Sequence, residues 1–228
     1  MKGSCCLMVI LPFVLAAWTP RSEHHVLTGK KPHVLSAITP ADDPIRHRFK
    51  RGLVDLAENL SNEFIEDLKT YVIIQGFNDT GFALQLETLQ ARFRDIETLA
   101  APGIRCRENL RLKLEFSRHM LRIMVDSAEL LQFYKLDNGM THDLIRKLIH
   151  LNVRLLSFYD TQGVPNMSIS YASRDLTQFA LKLMFWQNLF MNLTDVPLSI
   201  LLGFHFHFKQ AEETIADLQQ HFSTHKIQ

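Results

Sequence analysis

Large apolar residues return at steps of three and four through most of the chain from Leu53 onward, and short runs rich in Gly, Pro or Asn interrupt them. That spacing lays one apolar stripe along a helix, so helices separated by brief breakers are the predicted elements. Leu53, Leu56, Leu60, Phe64, Leu68 and Tyr71 form the first stripe, with Glu58, Glu63, Glu66 and Asp67 on its solvated side. The run Gly76–Gly81 breaks it. Phe82, Leu86, Leu89, Phe93, Ile96 and Ala100 form the second, stopped by Pro102-Gly103.

A long third helix is predicted from Glu108 to Leu136, with Leu110, Leu114, Leu121, Met124, Ala128 and Leu131 on one side. Leu112, Phe116, Ile123 and Phe133 widen its apolar surface. After the turn at Asp137-Asn138-Gly139, Thr141 is the expected cap of a fourth helix carrying Leu144, Leu148, Leu151, Leu155 and Phe158. A fifth helix starts near Ser173 and runs into Phe179–Leu193, the most apolar stretch beyond the leader. Apolar residues on nearly every side predict that this helix is central and enclosed. From Leu202 to Phe208 the pattern alternates like a strand, whereas 211–218 is plainly helical; the reading is a helix after Pro197. The fold class expected is all-α, a single-domain bundle of four to five amphipathic helices.

The N-terminal part reads differently. Lys2 precedes an apolar run from Cys5 to Ala17, too short for the roughly 20 residues of a membrane span and suited to a signal peptide. Residues 18–51 are a propeptide or basic linker with four prolines, ending in Arg48-Phe49-Lys50-Arg51, an R-x-[KR]-R processing site. A processing endoprotease cutting there releases residues 52–228 as the helical domain. The expected location is therefore secreted and extracellular.

Four N-x-[ST] sequons follow from export as glycosylation sites: Asn59, Asn78, Asn166 and Asn192. Asn78 and Asn166 sit in predicted loops, Asn59 on the polar side of the first helix, and Asn192 at the end of an apolar run. Beyond Arg51 only Cys106 remains, between Arg105 and Arg107. Flanking arginines favour its thiolate, and a single cysteine in an oxidising compartment is either a quiet buried thiol or the source of an intermolecular disulfide and a linked homodimer. Residues 52–228 carry seventeen Lys and Arg against twenty-one Asp and Glu, about −4 net. That balance weighs against a nucleic-acid partner.

No constellation of residues marks an enzyme, a cofactor or a metal. His205 and His207 are two apart, so a helix separates them, and His221 and His225 lack a third ligand. Glu212-Glu213 is adjacent and reads as a charged exterior. There is no Gly-rich phosphate loop, G-x-S-x-G or C-x-x-C. Arg111, Arg118 and Arg122, with Glu115 among them, fall on one side of the third helix and form a candidate receptor-contact ridge, because arginine forks suit carboxylate and sulfate partners.

An exported, processed helical bundle of this kind resembles in overall plan the secreted long-chain helical cytokines, with the invertebrate unpaired-type ligands as the nearest analogy. The resemblance covers Leu53 to Thr194. It implies an up-up-down-down bundle with long overhand connections, gripped by a cell-surface receptor on the first and last long helices. The alternative is a secreted carrier of lipid or another apolar small molecule, walled by the Phe- and Met-rich residues 179–191. A secreted structural or reproductive-fluid protein assembling through Cys106 is a third reading.

Overall fold

In the computed structural model α1 runs Pro44–Thr70, α2 Asp79–Ala100, α3 Glu108–Lys135, α4 Met140–Leu155, α5 Ala172–Met191 and α6 Leu198–Thr224. The structure describes residues 44–73, 76–101, 107–136 and 139–224, all within one compact unit. Residues 1–17, where a signal peptide is expected, most of the expected propeptide or linker segment 18–51, and Cys106 lie outside the described residues. The all-α bundle expected from the sequence is present, with six helices among the described residues rather than four to five.

Each pair of consecutive helices with a short connection folds back on itself. Between α1 and α2 the two-residue strands β1 (Val72–Ile73) and β2 (Gly76–Phe77) pair antiparallel, where the sequence suggested only a break. The Phe77 N–H donates to Nδ1 of His150 at 2.9 Å, which ties this hairpin to α4. Gly76 adopts a φ of +137°, and a Cβ there would meet His150 Nδ1 at 2.9 Å, so both conformation and space call for glycine. Asn78 then caps α2, its Oδ1 accepting from the Gly81 N–H.

Cross-contacts give the direction of every helix. Tyr71 meets Phe82 while Phe64 stacks on Phe93, so α1 and α2 are antiparallel. Asp79 pairs with Lys135 and Glu97 with Arg118, so α2 and α3 are antiparallel too. Gly203 approaches Ile145 and the His207 carbonyl takes a hydrogen bond from Asn152, which sets α6 parallel to α4. Phe190 lies flat on Phe204, 3.7 Å between ring centroids, across the antiparallel α5–α6 pair. Up and down therefore alternate through the bundle. The up-up-down-down plan implied by the cytokine resemblance is not the one observed, because the connections at 71–78, 136–139 and 192–197 are too short for overhand crossings.

The enclosed helix is α4, not α5. It packs against α3, α6, α5 and the hairpin, and buries Leu144, Ile145, Leu148, Ile149, Leu151, Val153 and Leu155 around much of its circumference. α5 instead lies at one side of the bundle, packed chiefly on α6, and buries the single stripe Ala172, Leu176, Phe179, Leu183 and Phe190. The expectation that the most apolar stretch is central fails because hydropathy measures how many faces are apolar. It does not say how many neighbours the chain supplies.

Smaller departures have similar local causes. α1 begins at Pro44 rather than Leu53, since proline's fixed φ suits a first turn. Its core stripe is Val54, Ala57, Ser61, Phe64, Ile65 and Leu68, and Leu56 is left 46% exposed. Ala57 and Ser61 are fully buried where α1 packs, and the Ser61 hydroxyl satisfies itself on the Ala57 carbonyl at 2.7 Å. α4 is preceded by Gly139 as N-cap, with Thr141 already helical, and α5 by Tyr171 instead of Ser173. The stripes predicted for α2 and α3 are buried almost as read, Leu86 being half-buried.

Candidate functional site

Charged groups on α1, α2 and α3 are largely engaged with one another. Lys113 is buried and reaches Glu58 at 2.8 Å, and Arg107 joins the same carboxylate from the end of the α2–α3 connection. Arg92 pairs with Asp67 and lies over the Phe64 ring. The arginine ridge is part of this network. Arg111 pairs with Glu115 and Glu108, Arg118 with Glu97 while lying over Phe93, and Arg122 with Asp126. All three remain exposed, but each sits beside a carboxylate, so the side of α3 is a mixed-charge surface rather than a cationic one.

The histidines divide as the helix spacing predicts. His205 is exposed and His207 buried, because α6 is a helix at the point where the sequence alternates like a strand. Burial pushes the His207 imidazole down to about 4, and a side-chain hydrogen bond with Gln210 offsets only part of this. Its Nδ1 and the Oδ1 of Asn152 have no protein partner in the α4–α6 interface. Burial also lowers His150, against the pull of Asp79 and with Lys135 and Arg146 adding to the lowering. His225 lies outside the described residues, and among those described no three His, Cys, Asp or Glu are grouped to hold a metal. Glu212 and Glu213 both face solvent near Lys209.

The positions tied to export lie at the surface where they are described. Arg48, Lys50 and Arg51 fall in the first two turns of α1, not in an extended linker, and Arg51 and Gly52 are exposed. Among the residues whose burial is described, the first buried one is Val54. Asn59, Asn78 and Asn192 are exposed; Asn166 is half-buried, its Oδ1 accepting from the N–H and the hydroxyl of Ser168 within its own sequon. Asn192 is the C-cap residue of α5, and its side-chain amide donates to the Asn188 carbonyl.

Among the described residues, one uncommitted feature is apolar. Leu181, Met184, Phe185 and Met191 on α5, with Leu198, Leu202 and Phe206 on α6, are each 47 to 68% exposed. At 3.6 residues per turn the α5 group falls opposite its buried stripe, and Leu198, Leu202 and Phe206 fall opposite Ile200, Phe204, Phe208 and Ala211. The two helices pack on each other, and each carries exposed apolar side chains on its side away from its buried stripe. Taking about 200 Å² per large side chain, the seven side chains together expose roughly 800 Å². From Leu183 to Phe208 the only charged residue is Asp195. The α5 half of this surface comes from residues that read as core in the sequence. The α6 half was missed, although Leu198, Leu202 and Phe206 recur at steps of four on the side away from Phe204 and Phe208.

Comparison with protein-family models, with curated proteins and with solved structures finds no match.

Proposed function

We propose that this chain is an exported, proteolytically processed helical ligand that acts by binding a cell-surface receptor, through recognition and not through chemistry of its own. The observation that carries the reading is the outward direction of the Phe- and Met-rich hairpin. A carrier of lipid or another apolar small molecule encloses such residues around its cargo. Here Met184, Phe185 and Leu202 face away from the core, as in a surface built to meet another macromolecule. The basic run fits the same reading. A cut after Arg51 removes no residue of the described core, which starts at Val54, and needs only the opening of the first turns of α1. Helix ends open at little cost in free energy.

The test has two readouts on protein recovered from the medium of an expressing eukaryotic cell. Its mass after deglycosylation should correspond to a chain beginning at Gly52. Labelled protein should bind responsive cells saturably and be displaced by unlabelled protein. Retention of the whole chain inside the cell overturns the reading, as does a co-purified apolar small molecule that leaves only on denaturation.

A further inference from the structure

We infer that the outer side of the α5–α6 hairpin is a self-association surface, and that its occupant is a second copy of this chain related by a two-fold axis. The inference rests on reading that side as a protein-recognition surface and is independent of which receptor, if any, the chain meets. Three observations point to a second copy. The exposed apolar side chains amount to roughly 800 Å², the area one partner contributes to a standard-sized stable interface. The surface is free of charge between Lys182 and Lys209 except for Asp195 in the turn, so a two-fold pairing sets no like charges against each other. The surface is also two packed antiparallel helices, and two such hairpins face to face make a four-helix layer of ordinary bundle type.

A membrane surface fits less well. Helices that lie in a bilayer interface carry Lys and Arg along their polar side, and residues 183–208 contain none. No described helix is long and apolar enough to cross a membrane. The pairing is non-covalent and separate from any bridge through Cys106, which lies outside the described residues.

Sedimentation equilibrium under reductant tests the inference, using the protein as the expressing cell delivers it. Reductant removes any disulfide-linked form. At about 10 µM chain, a twofold mass is expected, since interfaces of this area bind at micromolar dissociation constants or tighter. Phe185→Glu on α5 and Leu202→Glu on α6 should each raise the dissociation constant by about 100-fold or more, because each copy then brings an unpaired carboxylate into the interface. Both positions are solvent-exposed, so the circular dichroism spectrum of each variant should be that of the parent. Leu84→Glu, on the exposed side of α2, should leave the twofold mass in place. A single-chain mass at every concentration up to about 100 µM overturns the inference. So does a dimer that survives both variants, which would place the contact elsewhere. Flotation of a monomeric protein with phosphatidylcholine vesicles also overturns it, in favour of a lipid surface. A monomer that still binds cells saturably refutes self-association and leaves the recognition reading standing.

Discussion

Replacing His207 with leucine should remove most of the acid sensitivity of the bundle's α4–α6 seam. The imidazole is buried between these helices with its affinity for a proton lowered to about 4, against an ordinary value near 6.5. The unfolded chain therefore binds a proton at this position between about pH 6.5 and 4 while the folded chain does not. Stability from this group is fully present above the unfolded value and is lost as pH falls through that window. A difference of about 2.5 pH units at 1.36 kcal/mol each sets the loss at roughly 3 kcal/mol by pH 4. Urea unfolding followed by far-UV circular dichroism at pH 7.5, 6.5, 5.5 and 4.5 measures it. The parent should lose about 2.5 kcal/mol more than His207→Leu between pH 7.5 and 4.5. Leucine needs no partner in the apolar seam, and the Asn152 hydrogen bond to the residue-207 carbonyl is kept because it is made to backbone. His150 and the carboxylates titrate in both proteins and cancel in the difference. Parallel stability curves from pH 7.5 to 4.5 would refute the burial argument.

Four further outcomes follow from the packing. In the Leu202→Glu background, where pairing contributes nothing, Phe190→Ala should destabilise the protein by about 3–5 kcal/mol, because it empties the stacked contact with Phe204, whereas Phe185→Ala should change stability by less than about 0.5 kcal/mol; thermal unfolding of the two compares an inward with an outward aromatic on one helix. Gly76→Ala should cost about 1–3 kcal/mol by chemical denaturation and loosen the 72–77 hairpin, read as faster amide exchange at Phe77. Glu58→Leu should cost about 2–4 kcal/mol by leaving Lys113 buried beside no carboxylate, and adding Lys113→Met should recover most of it. In exported protein, glycopeptide mapping should find Asn59, Asn78 and Asn166 occupied and Asn192 bare, since a glycan beside Met191 would hold two copies of the hairpin apart.

Local structure was legible wherever one helix face had one set of neighbours. The α2 and α3 stripes were readable because polar residues surround them on the remaining faces, as at Arg94, Asp95 and Glu97. The phase of α1 was not, since leucines at 53, 56 and 60 outline a more apolar stripe than Val54, Ala57 and Ser61. The small residues win because they let the backbones approach, a packing property that hydropathy does not record. The same limit explains the exchange of roles between α4 and α5. Both are rich in apolar residues, and only the tertiary arrangement decides which is surrounded. The α6 assignment turned on length: seven alternating residues look like a strand, but they continue without a breaker into the helical run from Ala211. The arginines of α3 were read as a ridge although Glu108, Glu115 and Asp126 pair with Arg111 and Arg122 along the same helix; the partner hidden from the sequence is Glu97, which comes from α2 to Arg118. The outward apolar surface was half legible for the opposite reason, being composed of residues that a sequence assigns to a core.

The central claim is that α5 and α6 show an apolar side to the outside, and methionine oxidation tests it most directly. In the Leu202→Glu protein, limited peroxide treatment followed by peptide mass analysis compares Met184 and Met191, which are exposed, with Met120 and Met124, which are buried in α3. The account predicts that Met184 and Met191 oxidise first, while Met120 and Met124 stay intact until the protein unfolds. Protection of Met184 and Met191 equal to that of the α3 pair would mean that the hairpin is core, and would contradict both the recognition surface and the self-association built on it.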